Sequence, residues 1–229
     1  MKKILLIILT LCLVCSAALA QTQQPDVQIV YISKQTGTSS LHYPSLQGLP
    51  NTFVQDTINR KIVEKGEIPL HEVTMSSPAQ QGATGITVTS EAYLLTKQGI
   101  PSVLSLVIRA EGKMPSGRLG YAVTPMMFSL ADGSEIPAKS LWFSEEEAQQ
   151  YLSAWVEELS QKDIFTYADV SGAVPVPLEG ALLRDTGVTI FYPQDTFTLL
   201  SGRSGAFSFY FYELADILNT SGDAMLASL

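Results

Sequence analysis

Apolar and polar residues alternate with a period of two in several segments of this chain, a pattern typical of β-strands with one buried face. In residues 100–110, Leu104, Leu106 and Ile108 share one face, and Ser105 and Arg109 share the other. We therefore predict a half-buried strand there. Residues 26–33 carry apolar side chains on both parities, which predicts a strand buried on both faces. Further strands are predicted at 41–43, 85–95, 121–130, 187–192 and 206–212.

The turns between these strands favour hairpins. The sequence Lys97-Gln98-Gly99 predicts a tight turn between two strands, and Asp132-Gly133 predicts another. Pro44 is expected to end the strand at 41–43, because proline cannot donate a hydrogen bond to a neighbouring strand.

Two segments have helical periodicity instead. Residues 51–65 begin with Asn51, a favourable N-cap, and Val54, Ile58 and Ile62 recur at intervals of four. Phe53 is expected to widen this apolar stripe, and Gly66 and Pro69 are expected to end the helix.

The second predicted helix spans residues 144–161. Ser144 and Glu147 form a capping box, and three consecutive glutamates suit the positive end of the helix dipole. A short C-terminal helix is predicted at 213–218. Hairpin-sized strands with two inserted helices indicate an α+β fold with largely antiparallel β-sheet on which those helices pack.

The N-terminal segment predicts an exported protein. Lys2 and Lys3 precede an apolar run from Ile4 to Leu19, and Ala20 ends a small-x-small cleavage site. We read residues 1–20 as a signal peptide, cleaved near Ala20 to release a periplasmic or extracellular protein. No second apolar run reaches the roughly 20 residues that a helix needs to span a membrane.

Composition narrows the chemistry of the expected mature chain. Both cysteines lie within the predicted signal peptide, so no thiolate or disulfide remains. Loss of Lys2 and Lys3 shifts the formal net charge from −8 to −10. An acidic surface disfavours nucleic acid and would attract a cationic partner, although negative charge also serves solubility.

We predict no catalytic, metal or cofactor site. Only His42 and His71 are present, without the spacing of a zinc motif, and the sequence from Ser201 to Gly205 lacks the spacing of a nucleophile elbow. Scattered carboxylates keep a hydrolase open as an alternative. They are Glu145, Glu146, Glu147, Asp163, Glu179, Asp185 and Asp195.

The candidate binding surface lies on the last predicted strand. Ser208, Tyr210 and Tyr212 share one face, and Arg203 precedes them in a glycine-containing loop. Tyrosine rings with neighbouring polar groups suit sugar stacking or a protein contact. The alternative is that this face lies under a helix.

Several segments resemble, in order, two bacterial cell-envelope modules. The first half resembles the non-catalytic N-terminal module of PdaC-type peptidoglycan deacetylases, and the second resembles the lysozyme-sensing ectodomain of RsiV-type anti-sigma factors. The first similarity rests on Tyr43-Pro44-Ser45-Leu46, Asn51, Gln55 and Ile58-Asn59-Arg60-Lys61-Ile62. The second rests on residues 127–133, 141–143, 187–193 and 207–218 with Gly202.

The resemblance implies modules at 26–112 and 113–220, either as two separate units or as one continuous globule. It also implies a binding protein without catalysis, whose partner is cell-wall glycan or a wall-acting protein such as lysozyme. This chain departs from the family pattern at Gly117 to Ala122, where the family often has a histidine. Two alternatives stay open, namely a cell-wall hydrolase or esterase and a structural envelope protein.

Overall fold

The computed structural model describes residues 26–77, 85–97, 99–113, 119–162, 175–194 and 204–219. The predicted signal peptide, its cleavage site and Arg203 lie outside these ranges. The helices are α1 (Thr52–Lys65), α2 (Ile68–Ser76) and α3 (Glu145–Lys162). The strands are β1 (Gln28–Thr36), β2 (Ser39–Gln47), β3 (Ile86–Lys97), β4 (Ile100–Lys113), β5 (Leu119–Ser129), β6 (Ala181–Leu183), β7 (Gly187–Gln194) and β8 (Ser204–Tyr210).

The described strands form two sheets. The larger has the order β1-β2-β3-β4-β5, and the smaller has the order β6-β7-β8. All neighbours are antiparallel except β2 and β3, which pair in parallel at Ser40–Thr87 and Leu41–Val88. The helices α1 and α2 make the crossover between these two strands. The predicted α+β class with largely antiparallel strands is confirmed.

Side-chain contacts arrange these elements in four layers. The buried face of α1 packs on one side of the larger sheet, and Val107 and Met127 on the other side join the core of the smaller sheet. The Arg109 guanidinium lies 5.3 Å from the Phe191 ring centre, so odd-numbered positions of β7 face the larger sheet. Trp155 of α3 contacts Phe209 edge to face on the opposite side of the smaller sheet.

The predicted helices are found where their periodicity and caps place them. Asn51 Oδ1 accepts hydrogen bonds from the backbone of Phe53 (3.1 Å) and Val54 (3.3 Å). Ser144 Oγ accepts one from Glu147 N at 3.3 Å at the start of α3. Phe53 is 77% exposed and does not widen the apolar stripe, because it lies on the solvent side of α1. The short C-terminal helix is a single 3₁₀ turn, Phe211–Glu213, slightly earlier than predicted.

Three strand predictions need correction. β1 is an exposed edge strand, not one buried on both faces, because among the described strands only β2 pairs with it. Pro44 lies within β2 opposite Tyr31 and does not end the strand. β4 is buried on both faces rather than half-buried, since Ser105 and Val107 lie under the smaller sheet.

One helix was missed. Pro69 was expected to help end α1, yet it lies in the first turn of α2, where its missing N–H leaves no helical hydrogen bond unmade. The expected division into modules at 26–112 and 113–220 falls within β4, before its last residue Lys113. β4 and β5 pair from Val103–Ser129 to Lys113–Leu119 within one sheet. The division itself stays a prediction.

Candidate functional site

The predicted surface residues that the structure describes lie together on the open side of β8. Ser208 and Tyr210 project from β8 on the face opposite the buried Phe207 and Phe209, and Tyr212 follows in the 3₁₀ turn. Tyr210 is 55% exposed and Tyr212 is 77% exposed. Their rings stack with centres 5.6 Å apart and planes 10° apart. We call Tyr210 and Tyr212 the tyrosine pair.

Backbone contacts hold the tyrosine pair in place. Glu213 Oε2 accepts a hydrogen bond from Tyr210 N at 2.7 Å, and Thr186 O accepts one from Phe211 N at 3.2 Å. Gly187 lies opposite Tyr210 in the β7–β8 ladder. A Cβ atom at Gly187 would lie 1.9 Å from Phe209 O, so only glycine allows β7 to approach β8 this closely.

A cavity of about 260 Å³ lies beside the tyrosine pair. Thr189 Oγ1 and Ser208 Oγ are 2.8 Å apart across its wall. Thr189 is buried and Ser208 is exposed, so of these two hydroxyls a polar ligand can reach that of Ser208, which can donate and accept a hydrogen bond. We call it the hydroxyl pocket; its lining residues are Arg184, Thr186, Gly187, Val188, Thr189, Ser208, Phe209 and Tyr210.

An ionic cluster joins the two sheets next to the hydroxyl pocket. Glu91 Oε1 lies 2.7 Å from Arg109 Nη1, and Glu91 Oε2 lies 3.1 Å from Arg184 Nη2. Tyr93 donates its phenol hydrogen to Glu91 Oε2 at 3.0 Å, and the Arg184 guanidinium lies 5.5 Å from the Tyr93 ring centre. Burial raises the pKa of Glu91, but hydrogen bonds and charge from Arg109, with help from Tyr93 and Arg184, lower it overall.

A second cavity, of about 270 Å³, lies between β5 and the far end of β7. Its walls are mostly proline and aromatic side chains, and Glu179 is the charged residue among them. We call it the proline pocket; its lining residues are Tyr121, Val123, Pro125, Pro177, Glu179, Gly180, Phe191, Tyr192 and Pro193.

The histidines lie in two different settings. His42 Nδ1 is 2.8 Å from Ser33 Oγ, and the Tyr31 ring stacks on the imidazole with centres 4.6 Å apart. His71 is buried in α2, and loss of solvent lowers its pKa, partly offset by the charge of Glu67. Within the described residues, no three His, Cys, Asp or Glu side chains converge as a metal site would require.

The carboxylates considered for a hydrolase are dispersed. Glu145, Glu146 and Glu147 occupy the first turn of α3, and Glu179 lies at the proline pocket. Asp163 and Asp195 lie outside the described residues. None of the helices in the described ranges combines the length and apolarity of a membrane span.

Sequence reasoning found the tyrosine pair but neither pocket nor the ionic cluster. The alternation of β8 signalled Ser208 and Tyr210. Glu91 and Arg184 are 93 positions apart, and no local pattern in the sequence marks them as partners.

Comparison with known proteins places the fold. No family model matches this chain, and no curated protein matches it. A DUF3298 family member from Bacteroides fragilis aligns with a TM-score of 0.56 and 10% identity, over 86% of this chain and 95% of the other. A DUF3298 family protein from Pseudomonas aeruginosa aligns with a TM-score of 0.54 and 8% identity, over 85% and 94%. This chain is therefore similar in fold to bacterial proteins of a family named for a domain of unknown function.

Proposed function

We propose that this protein is an exported, non-catalytic module that binds cell-wall glycan through the tyrosine pair and the hydroxyl pocket. The observation that carries the proposal is the stacked pair of exposed rings, Tyr210 and Tyr212, of which Tyr210 lines a cavity together with Ser208 and Arg184. Large exposed aromatic rings beside a concave polar surface mark binding sites more often than inert surface.

The chemistry of this surface suits a sugar. An aromatic ring packs against the C–H groups on one face of a pyranose, while hydroxyl groups around it satisfy the sugar's own hydroxyls. Here Ser208 supplies an exposed hydroxyl that the buried Thr189 hydroxyl holds in place, and Arg184 supplies N–H donors at the wall of the same pocket. Orientation and specificity then come from a small number of fixed polar groups, as in most ligand pockets.

The cell wall enters the proposal through the sequence. The N-terminal segment predicts export, and the chain resembles modules from wall-modifying and lysozyme-sensing proteins. Similarity in fold to the DUF3298 proteins is compatible with such a module and adds no ligand of its own.

Co-sedimentation with purified peptidoglycan sacculi tests the proposal. The protein comprising residues 21–229 is expected to pellet with sacculi at both low and high salt, because stacking on tyrosine is not screened by ions. Tyr212→Ala should weaken this binding about tenfold, the effect of losing one well-placed aromatic contact.

Phe53→Ala is the matched control for Tyr212→Ala, because both side chains are 77% exposed and Phe53 lies on α1 away from the site. We expect it to leave pelleting unchanged. Wild-type protein that stays in the supernatant at both salt concentrations would refute glycan binding.

A cationic wall-acting protein is the second candidate partner. The formal charge of −8 for the whole sequence favours it, because opposite charge accelerates and orients encounter. Binding to lysozyme that weakens steeply with salt, together with no pelleting with sacculi, would favour this partner over the glycan.

A further inference from the structure

The two pockets lie at opposite ends of one strand. The hydroxyl pocket takes its wall from Gly187, Val188 and Thr189 at the start of β7, and the proline pocket takes Phe191, Tyr192 and Pro193 at its end. From Val188 to Tyr192 is four residues, or about 13 Å along an extended strand. This spacing exceeds the size of one sugar ring but suits a polymer.

The ionic cluster connects the pockets. Phe191 of the proline pocket lies under the Arg109 guanidinium, with 5.3 Å between guanidinium and ring centre. Arg109 and Arg184 both pair with Glu91, and Arg184 lines the hydroxyl pocket. The side chains of Arg109, Arg184 and Glu91 are 20%, 27% and 41% exposed, so a ligand between the pockets can reach them.

Building on the proposed function, we propose that the hydroxyl pocket, the ionic cluster and the proline pocket form one continuous site for an unbranched, uncharged glycan strand of several sugars. The tyrosine pair holds one part of the strand, and Tyr121 of the proline pocket contacts a part further along it.

The charge balance of the cluster favours a neutral strand. Arg109 and Arg184 are offset by Glu91, and by Asp185, whose charge acts on Tyr93. A balanced cluster presents guanidinium donors and carboxylate acceptors to hydroxyl groups without a net charge that would select an anion. Because the Arg–Glu contacts already fix these side chains, little conformational entropy is lost when a ligand binds.

Chain length is the variable that separates one continuous site from two independent pockets. β-1,4-linked N-acetylglucosamine dimer and hexamer are suitable probes, with affinities measured by isothermal titration calorimetry. The wild-type protein is expected to bind the hexamer at least about tenfold more tightly than the dimer, because the longer strand gains the contacts of the second pocket.

Tyr121→Ala should remove most of this gain and leave dimer affinity unchanged, whereas Tyr210→Ala should weaken both probes. A hexamer offers several equivalent sugar units to one pocket, which alone makes it bind a few-fold more tightly than the dimer. This smaller difference should remain in Tyr121→Ala. Tyr31→Ala is the matched control, because Tyr31 is an exposed tyrosine on β1. Should Tyr121→Ala fail to fold, as judged by circular dichroism, Glu179→Ala at the exposed edge of the proline pocket takes its place.

The results separate this inference from the function on which it rests. Dimer and hexamer binding of equal strength overturns the continuous site and keeps the glycan-binding function. An equal loss for both probes in Tyr121→Ala, or a similar loss in Tyr31→Ala, also overturns the continuous site. Absence of binding by either probe overturns the site for an uncharged strand, and the glycan-binding function is then decided by pelleting with sacculi alone.

Discussion

At the scale of single residues, the exposed tyrosine pair depends on what faces it. Gly187 lies opposite Tyr210, and the absence of a side chain there lets β7 approach β8 closely. The Glu213 carboxylate accepts from Tyr210 N and fixes the turn that carries Tyr212. Gly187 and Glu213 therefore determine where both rings lie. The positions of the two rings depend on these backbone contacts as well as on the stacking between them.

His71 makes stability depend on pH. Burial lowers its pKa below the usual 6.5, so the unfolded chain binds a proton more readily than the folded chain. The contribution of His71 to the free energy of unfolding should therefore not change with pH above about pH 6.5. It should fall as the pH drops further, until His71 also protonates in the folded state.

Urea unfolding between pH 8 and pH 5 measures this dependence, with His71→Gln as the comparison. The variant has no imidazole, so its stability should change less over the same range. If the stabilities of the wild-type protein and His71→Gln changed equally with pH, His71 would not be the cause of the pH dependence. The control is His42→Gln, because His42 lies at a partly exposed position on β2.

The sequence predicted those residues whose role depends on near neighbours. Asn51 caps α1 by accepting hydrogen bonds from Phe53 N and Val54 N, two and three positions further on, and Gly99 has the positive φ of 78° that its hairpin turn was expected to need. The ionic cluster could not be predicted in this way. Glu91 and Arg109 are 18 positions apart and Arg184 is much further along the chain, and they meet only once the two sheets pack.

At the scale of elements, Asn59 fastens α1 to β2. Its Oδ1 accepts from Leu46 N at 2.7 Å, and its Nδ2 donates to Leu46 O at 2.9 Å. We expect Asn59→Ala to destabilise the protein by at least about 2 kcal/mol, because two partly buried backbone groups lose their partner.

Asn51→Ala is the matched variant in the same helix. It removes an exposed cap, so its expected cost is about 1 kcal/mol. Chemical denaturation of both variants gives the comparison. A cost for Asn59→Ala no larger than that for Asn51→Ala would show that the contact between helix and strand adds little.

The predicted boundaries of helices and strands agree with the structure where one sequence signal dominated. They differ where two signals competed. Pro69 is both a helix terminator and a favourable first-turn residue, and α2 shows that the second role prevailed. Apolar residues on both parities of β1 suggested a central strand, yet Tyr31 and Ile32 are exposed on an edge. Burial of a strand depends on which strands pair with it, and a single sequence does not contain that information.

At the scale of the whole molecule, the α+β class followed from the alternation and the two helical stripes. The division of the strands into two sheets could not be predicted, because β7 and β8 would show the same alternation of apolar and polar residues in either sheet. The proline pocket, between β5 and β7, and the ionic cluster are products of that packing. The tyrosine pair of the candidate site was therefore predictable from the sequence, whereas the pockets and the ionic cluster were not.

β4 takes part in both hydrophobic cores. Leu104, Leu106 and Ile108 pack toward α1, while Val107 packs under the smaller sheet and Ser105 Oγ donates to Leu183 O at 2.5 Å. The two cores thus share one backbone, and neither can lose its packing without exposing the other.

In folding terms, we expect this shared strand to make the described part of the molecule a single cooperative unit. The amide hydrogens of β4 should exchange with solvent only through global unfolding, at one common free energy on both sides of the strand. Native-state hydrogen exchange that separated the β4 amides into two groups would contradict this. Mutations that weaken the packing of β4 against α1 should therefore also increase the fraction of molecules in which the ionic cluster on the other side of β4 is disrupted.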